Sequence, residues 1–216
     1  MNHRPQRPGW YYSVIDVPNL PVIQQELLQM FYQLCDPVPT GSAFISLYNS
    51  DPKWQSLTHL NQWITSLGLA DRPIYCLYSV LNNASVMPIH VDYANEPKFL
   101  AVNIPLLNCD GSYTTWYDAD IDPQMHIKET KNQSETRRLL IYNELVDDYH
   151  TGDTSYWCLQ EGAVQVQRVK TTLPMLVNVS IPHRPQVKHN RLRVVFSLRF
   201  FPELTVQEQL RFKTVL

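Results

Sequence analysis

The chain has 216 residues, of which 44% are hydrophobic and 18% charged, a globular rather than disordered composition, long enough for one domain with a substantial core and short for two. A net charge of −2 gives no global electrostatic reason to expect nucleic acid or an anionic membrane as a partner. No stretch approaches the roughly 20 apolar residues of a membrane span, the polar start lacks the apolar segment of a secretory signal, and Cys35, Cys76, Cys109 and Cys158 form no Cys-x-x-Cys pair; a cytoplasmic protein with free thiols is expected.

The first twenty residues, rich in proline and aromatics, are expected to run extended across the surface. From Pro21 onward, Val22, Leu27, Leu28, Phe31 and Leu34 predict an amphipathic helix with proline at its start. A second helix is predicted after Ser50 or Asp51, with Pro52 first, Trp54, Leu57, Leu60, Trp63, Ile64 and Leu67 along its buried side, and Gly68 as its stop. Strand-like runs dominate from 74 to 201, with middle strands at 113–116, 138–142, 156–159 and 163–169. The stretch from 118 to 135 reads as a long surface excursion of a length that suits a lid. Helices, then many strands, then a short helix give an α+β class, mainly β. The strands most simply close as a double-stranded β-helix, a cupin-like jelly roll, with helices outside. The expected layout is a single domain, 1–216: an extension and supporting helices over 1–72, the jelly roll over 73–205 and a C-terminal helix over 206–216.

Within the strand-rich part, His90-Val91-Asp92 puts a histidine and a carboxylate on one face of a strand, where both can grip one ion. His183 is the expected third ligand from a distant strand, which makes a 2-His-1-carboxylate triad suited to Fe(II) with open positions for substrates. With 7 His and 20 acidic residues in the chain the dipeptide pattern alone is weak, and its context carries the reading. The apolar run 86–89 leads into His90 as a strand would, and 176–182 leads into His183 in the same way. Ten residues beyond His183 lies Arg193, on the opposite face from Leu192, Val194, Phe196 and Leu198; an arginine in mid-strand needs an anion. His189 has Arg199 at the same spacing, so spacing does not separate the pairs; His183 and Arg193 are preferred because Arg193 is flanked by apolar strand while Arg199 sits nearer an end and is expected to be solvated. Arg191 shares the parity of Arg193 and stays open as its substitute. Tyr93, Trp116 and Tyr117 are candidates for a substrate wall, with a core role favoured.

These residues resemble the 2-oxoglutarate- and Fe(II)-dependent dioxygenases, and within them the aspartyl/asparaginyl β-hydroxylase-like branch. Tyr78-Ser79-Val80 lies where that branch places a serine that contacts 2-oxoglutarate, Asn103-Ile104-Pro105-Leu106 is similar to the strand with a second polar contact, and Phe201-Pro202-Glu203-Leu204-Thr205 is similar to the turn before the terminal helix. The similarity runs over about 73–205. Asp92 supplies the carboxylate that the best-known animal members lack, whereas Ala101 stands where they carry an arginine.

The resemblance implies His90, Asp92 and His183 as Fe(II) ligands, and Arg193, with Ser79 and Asn103, as contacts of the co-substrate 2-oxoglutarate. It implies hydroxylation of a C–H bond of an amino-acid side chain, in a protein, a peptide or a free amino acid, with O2 consumed and succinate and CO2 released. With Asp92 filling the third protein position there is no vacancy for a halide, so hydroxylation is favoured over halogenation. The competing reading is a non-enzymatic jelly-roll module that binds a carboxylate ligand through Arg193.

Overall fold

The computed structural model describes residues 10–39, 43–81, 87–92, 100–126, 128–131, 137–141, 155–188 and 190–215. In chain order these form β1 (Tyr12–Val14), α1 (Leu20–Leu34), β2 (Ala43–Tyr48), a 3-10 turn (Pro52–Ser56), α2 (Thr58–Ser66), β3 (Ile74–Leu81), β4 (His90–Asp92), β5 (Leu100–Leu107), β6 (Ser112–Asp118), β7 (Ile121–His126), β8 (Lys128–Lys131), β9 (Arg137–Ile141), β10 (Ser155–Cys158), β11 (Val164–Lys170), β12 (Met175–Asn178), β13 (His183–Val187), β14 (Arg193–Phe200) and α3 (Val206–Gln209). The strands make two antiparallel sheets, one of eight in the order β1-β12-β5-β14-β3-β2-β9-β8 and one of six in the order β11-β6-β13-β4-β10-β7. The protein is mainly β, as its sequence pattern predicts.

Strict alternation on the central strands separates two environments. On β14, Val194, Phe196, Leu198 and Phe200 join Tyr78 and Val80 of β3 and Val102 and Ile104 of β5 in the main core, against the buried stripe Ile23, Leu27, Met30, Phe31 and Leu34 of α1. Burying each such side chain stabilises the fold by about 1.5–3 kcal/mol. The helix is also pinned by polar contacts, since Tyr78 Oη donates to the Leu27 carbonyl at 3.0 Å and Gln24 Nε2 to the Pro105 carbonyl at 2.6 Å. The opposite face of the same strands presents Arg193, Val195, Ser197 and Arg199 from β14, Leu77 and Ser79 from β3, and Asn103 from β5 to a cavity between the sheets.

Several local expectations are corrected. The N-terminal segment is extended, as expected, but from Tyr12 it is also the edge strand of a sheet: β1 pairs with β12, and Tyr11 and Tyr12 pack on Trp116. On α1 the buried position in the first turn is Ile23, with Val22 exposed. The second helix is two pieces. Asp51 accepts from the Lys53 amide at 2.9 Å to start the 3-10 turn, Leu57 leaves helical geometry, and α2 restarts where the Glu26 carboxylate of α1 accepts from the amides of His59 and Leu60. Gly68 does stop α2, at φ 66, where a Cβ would lie 2.8 Å from the Arg211 guanidinium. Strand β2 was not expected; its short apolar run, set between two helical patterns, pairs with both β3 and β9. The stretch 118–135 is not a plain excursion, because β7 within it pairs with β10 in the six-stranded sheet and β8 pairs with β9 in the other. Residues 87–89 precede β4 without being part of it.

The terminal turn behaves as expected. Thr205 caps α3 in a capping box with Glu208, whose carboxylate also receives Arg72 Nη2 at 2.6 and 2.8 Å. No helix among the described residues is long and apolar enough to cross a membrane.

Candidate metal centre

Strand β4 is only three residues long, yet it is flanked on both sides: Ser155 and Trp157 of β10 lie opposite Asp92 and His90, and His183 of β13 lies opposite His90. Alternation sends Val91 to a small apolar cluster with Ile89, Tyr117 and Cys158, while His90 and Asp92 face the cavity. His183 does not end a strand from 176, contrary to expectation. Asn178 Oδ1 accepts from the amide and hydroxyl of Ser180 at 3.1 and 2.8 Å, an Asx turn that ends β12, and the chain crosses over 179–182 into the six-stranded sheet. His183 opens the new strand.

The structure brings the three expected ligands together. His90, Asp92 and His183 are all buried, and one donor atom from each lies within 4.8 Å of the others, a group that can hold a metal ion. His90 Nδ1 lies 3.0 Å from the Pro88 carbonyl oxygen and His183 Nδ1 lies 2.9 Å from that of Ile181. A carbonyl only accepts, so each Nδ1 carries the proton and each Nε2 keeps its lone pair for an ion. Burial, reinforced by the neighbouring His90, lowers the His183 pKa to about 3, and burial also lowers that of His90. Both rings are therefore neutral at physiological pH, the form that ligates. Two neutral imidazoles and one carboxylate fit Fe(II) or a related divalent ion and leave half of an octahedron to other ligands.

The cavity, of about 60 Å³, is larger than one water needs. Its polar lining beyond the three ligands comes from Ser79, Asn103, Thr114, Ser197, Arg193 and Arg199. Arg193 is only 2% exposed, and its Nε has no hydrogen-bond partner. Burial lowers its pKa, an effect opposed by the adjacent Cys109 sulfur, but no carboxylate among the described residues pairs with it. Neither Ser79 nor Asn103 spends its side chain on a hydrogen bond to the described residues. Arg191, by contrast, is exposed and paired with Asp110 at 2.8 Å, away from the cavity.

Arg199 is the residue that sequence reasoning misplaced. It is 8% exposed, lines the cavity, and donates from Nη2 to Asp92 Oδ2 at 2.5 Å. The signal was present, because residues 193, 195, 197 and 199 share one strand face. Trp116 is a core pillar, stacked on Tyr12 with its Nε1 donating to the Asn178 carbonyl at 3.0 Å, and Tyr117 accepts from Arg184 on the other face of the sheet. Neither lines the cavity. Tyr93 and His189 lie outside the described residues.

No protein-family model matches the chain, and no curated protein matches it. Among solved structures it is similar to the X-ray crystal structure of a protein from Shewanella oneidensis, at 13% identity and a TM-score of 0.29, with 67% of this chain and 64% of that one covered. The match thus spans less than two thirds of that protein's own length.

Proposed function

We propose that the protein is an Fe(II)- and 2-oxoglutarate-dependent dioxygenase on a double-stranded β-helix, hydroxylating a C–H bond of an amino-acid side chain, whether free or in a peptide or protein. The observation that carries this reading is Arg193: a buried cation without a carboxylate partner among the described residues faces the same cavity as the His90, Asp92 and His183 group. A buried guanidinium is costly unless an anion meets it, and its planar fork matches a carboxylate with two parallel hydrogen bonds.

In this reading His90 Nε2, His183 Nε2 and a carboxylate oxygen of Asp92 would hold the ion. Iron, when bound, supplies oxygen activation coupled to oxidative decarboxylation of 2-oxoglutarate to succinate and carbon dioxide. Arg193 would receive the far carboxylate of the co-substrate, with Ser79 and Asn103, on the two strands that flank β14, available to hydrogen-bond it. Val177, Val179 and Val195 line the same cavity and would limit water there. Four free, buried cysteines suit the cytosolic setting that goes with this proposal.

The test is the visible charge-transfer band formed when Fe(II) and 2-oxoglutarate are added together without oxygen, followed by succinate release in air while amino acids, peptides and cell extract are screened for stimulation. A protein that binds 2-oxoglutarate equally with and without iron, and shows no band, is a carboxylate-binding module instead.

A further inference from the structure

We infer that Arg199 is the positioning residue of the metal centre, holding Asp92 so that the carboxylate meets an ion through Oδ1 alone. The inference rests on the metal reading of His90, Asp92 and His183. Asp92 belongs to the six-stranded sheet and Arg199 to the eight-stranded one, and their bond spans the space between the two. Both side chains are largely withdrawn from water, 7% and 10% exposed, so the pair is not a surface contact screened by solvent. The two carboxylate oxygens are thereby made unlike: Oδ2 receives Nη2, whereas Oδ1 lies 3.9 Å from His90 Nε2, on the side of the other ligands.

Neighbours on β14's flanks let the guanidinium take this course. Ala101, opposite Arg199 on β5, is fully buried and contributes only a methyl group, while Tyr75, opposite it on β3, has its ring centroid 5.9 Å from the guanidinium carbon. A carboxylate with both oxygens available can chelate an ion and occupy two positions; one oxygen committed to arginine leaves that second position to an exogenous ligand. With Oδ2 held by Arg199, the protein would offer an ion three donors and leave its other positions to exogenous ligands. Arg199 therefore sets how many positions the protein leaves open.

The experiment uses Co(II) as a spectroscopic probe of the full chain, with Arg199→Lys and Arg199→Met compared with the parent. Arg199→Lys keeps the charge without the fork and should weaken Co(II) roughly 10–100-fold, the usual effect of losing an outer-shell partner, and change the intensity of the visible ligand-field bands. Arg199→Met should do both more strongly; if it does not fold, Arg199→Lys decides. A purely structural ion pair would lower the melting temperature yet leave Co(II) affinity and spectrum at parent values in the folded variants, and that result overturns the inference. Failure of the parent itself to bind Co(II) would remove the metal centre, and this role with it, which is a different outcome from parent binding with unchanged variants.

Discussion

His90 and His183 face each other across one rung of the six-stranded sheet, with ring centroids 4.4 Å apart and planes at 50°, each tied through Nδ1 to the carbonyl two residues before it. Two rings from distant parts of the chain are thus held with their free nitrogens available to the same ion, and Asp92 completes the set from the same strand as His90.

Removing any one of the three should leave a folded protein that has lost its metal. His90→Ala, Asp92→Ala and His183→Ala are each expected to weaken Fe(II) or Co(II) binding by more than the roughly 10–100-fold typical of outer-shell changes. Calorimetric titration checks this, with circular dichroism confirming the fold. Parent-like binding by His183→Ala would exclude it as the distal ligand.

The two arginines near the start of β14 should separate cleanly. Arg193→Lys is expected to weaken 2-oxoglutarate by roughly tenfold to a hundredfold, since a bidentate charged contact is worth about 1.5–3 kcal/mol. Arg191→Lys should have no effect, because Arg191 is engaged with Asp110 in solvent. Apparent affinity from the charge-transfer band reads both; a damaged Arg191→Lys beside an intact Arg193→Lys would reverse the roles.

Acid should act on the metal-free protein through the buried imidazoles. The folded His183 takes up its proton only near pH 3, whereas an unfolded histidine does so near 6.5. Between those values the unfolded chain binds more protons, so stability is lost as pH falls through that window, by at most about 1.4 kcal/mol per pH unit for this group. Urea denaturation of the parent at several pH values should show a steeper loss than His183→Gln. Equal slopes would mean that the ring is not protected.

The outward face of β14 should matter for stability alone. Phe196 is fully buried, with its ring 4.9 Å from that of Tyr78, and Phe196→Ala is expected to cost about 3–5 kcal/mol. Co(II) affinity of the folded fraction should stay at the parent value, because the side chain points away from the cavity. A large change in affinity would mean that the two faces are coupled.

Much of this site was legible because a strand's period of two is simple to read. It put His90 and Asp92 on one side, and it split β14 into a core face and a polar face. The same rule also places Arg199 with Arg193, but nearness to a strand end predicts exposure, whereas Asp92, 107 residues away in sequence, partners it in the interior. The boundaries that failed were set by side-chain acceptors reaching across the fold. Glu26 fixes where α2 begins, and Asn178 turns the chain before His183, although the apolar pattern runs straight through. Strand β8 is hidden for another reason, since its polar sequence Lys128-Glu129-Thr130-Lys131 carries no apolar alternation and pairs only because a neighbouring strand is offered.

The crossing at 179–182 is stitched to both strands that carry or flank the ligands: the Asp92 amide donates to the Val179 carbonyl and the Tyr117 amide to that of Pro182, each at 2.8 Å. Backbone bonds of this kind do not depend on any ion. The backbone of His183 therefore cannot leave His90 and Asp92 without breaking sheet hydrogen bonds, its ring is held by the Ile181 carbonyl, and most of the conformational entropy of gathering three ligands is lost when the chain folds, not when metal arrives. Such a chelate should take up its ion quickly and without rearrangement, and exchange of one divalent ion for another should be governed by ligand chemistry alone.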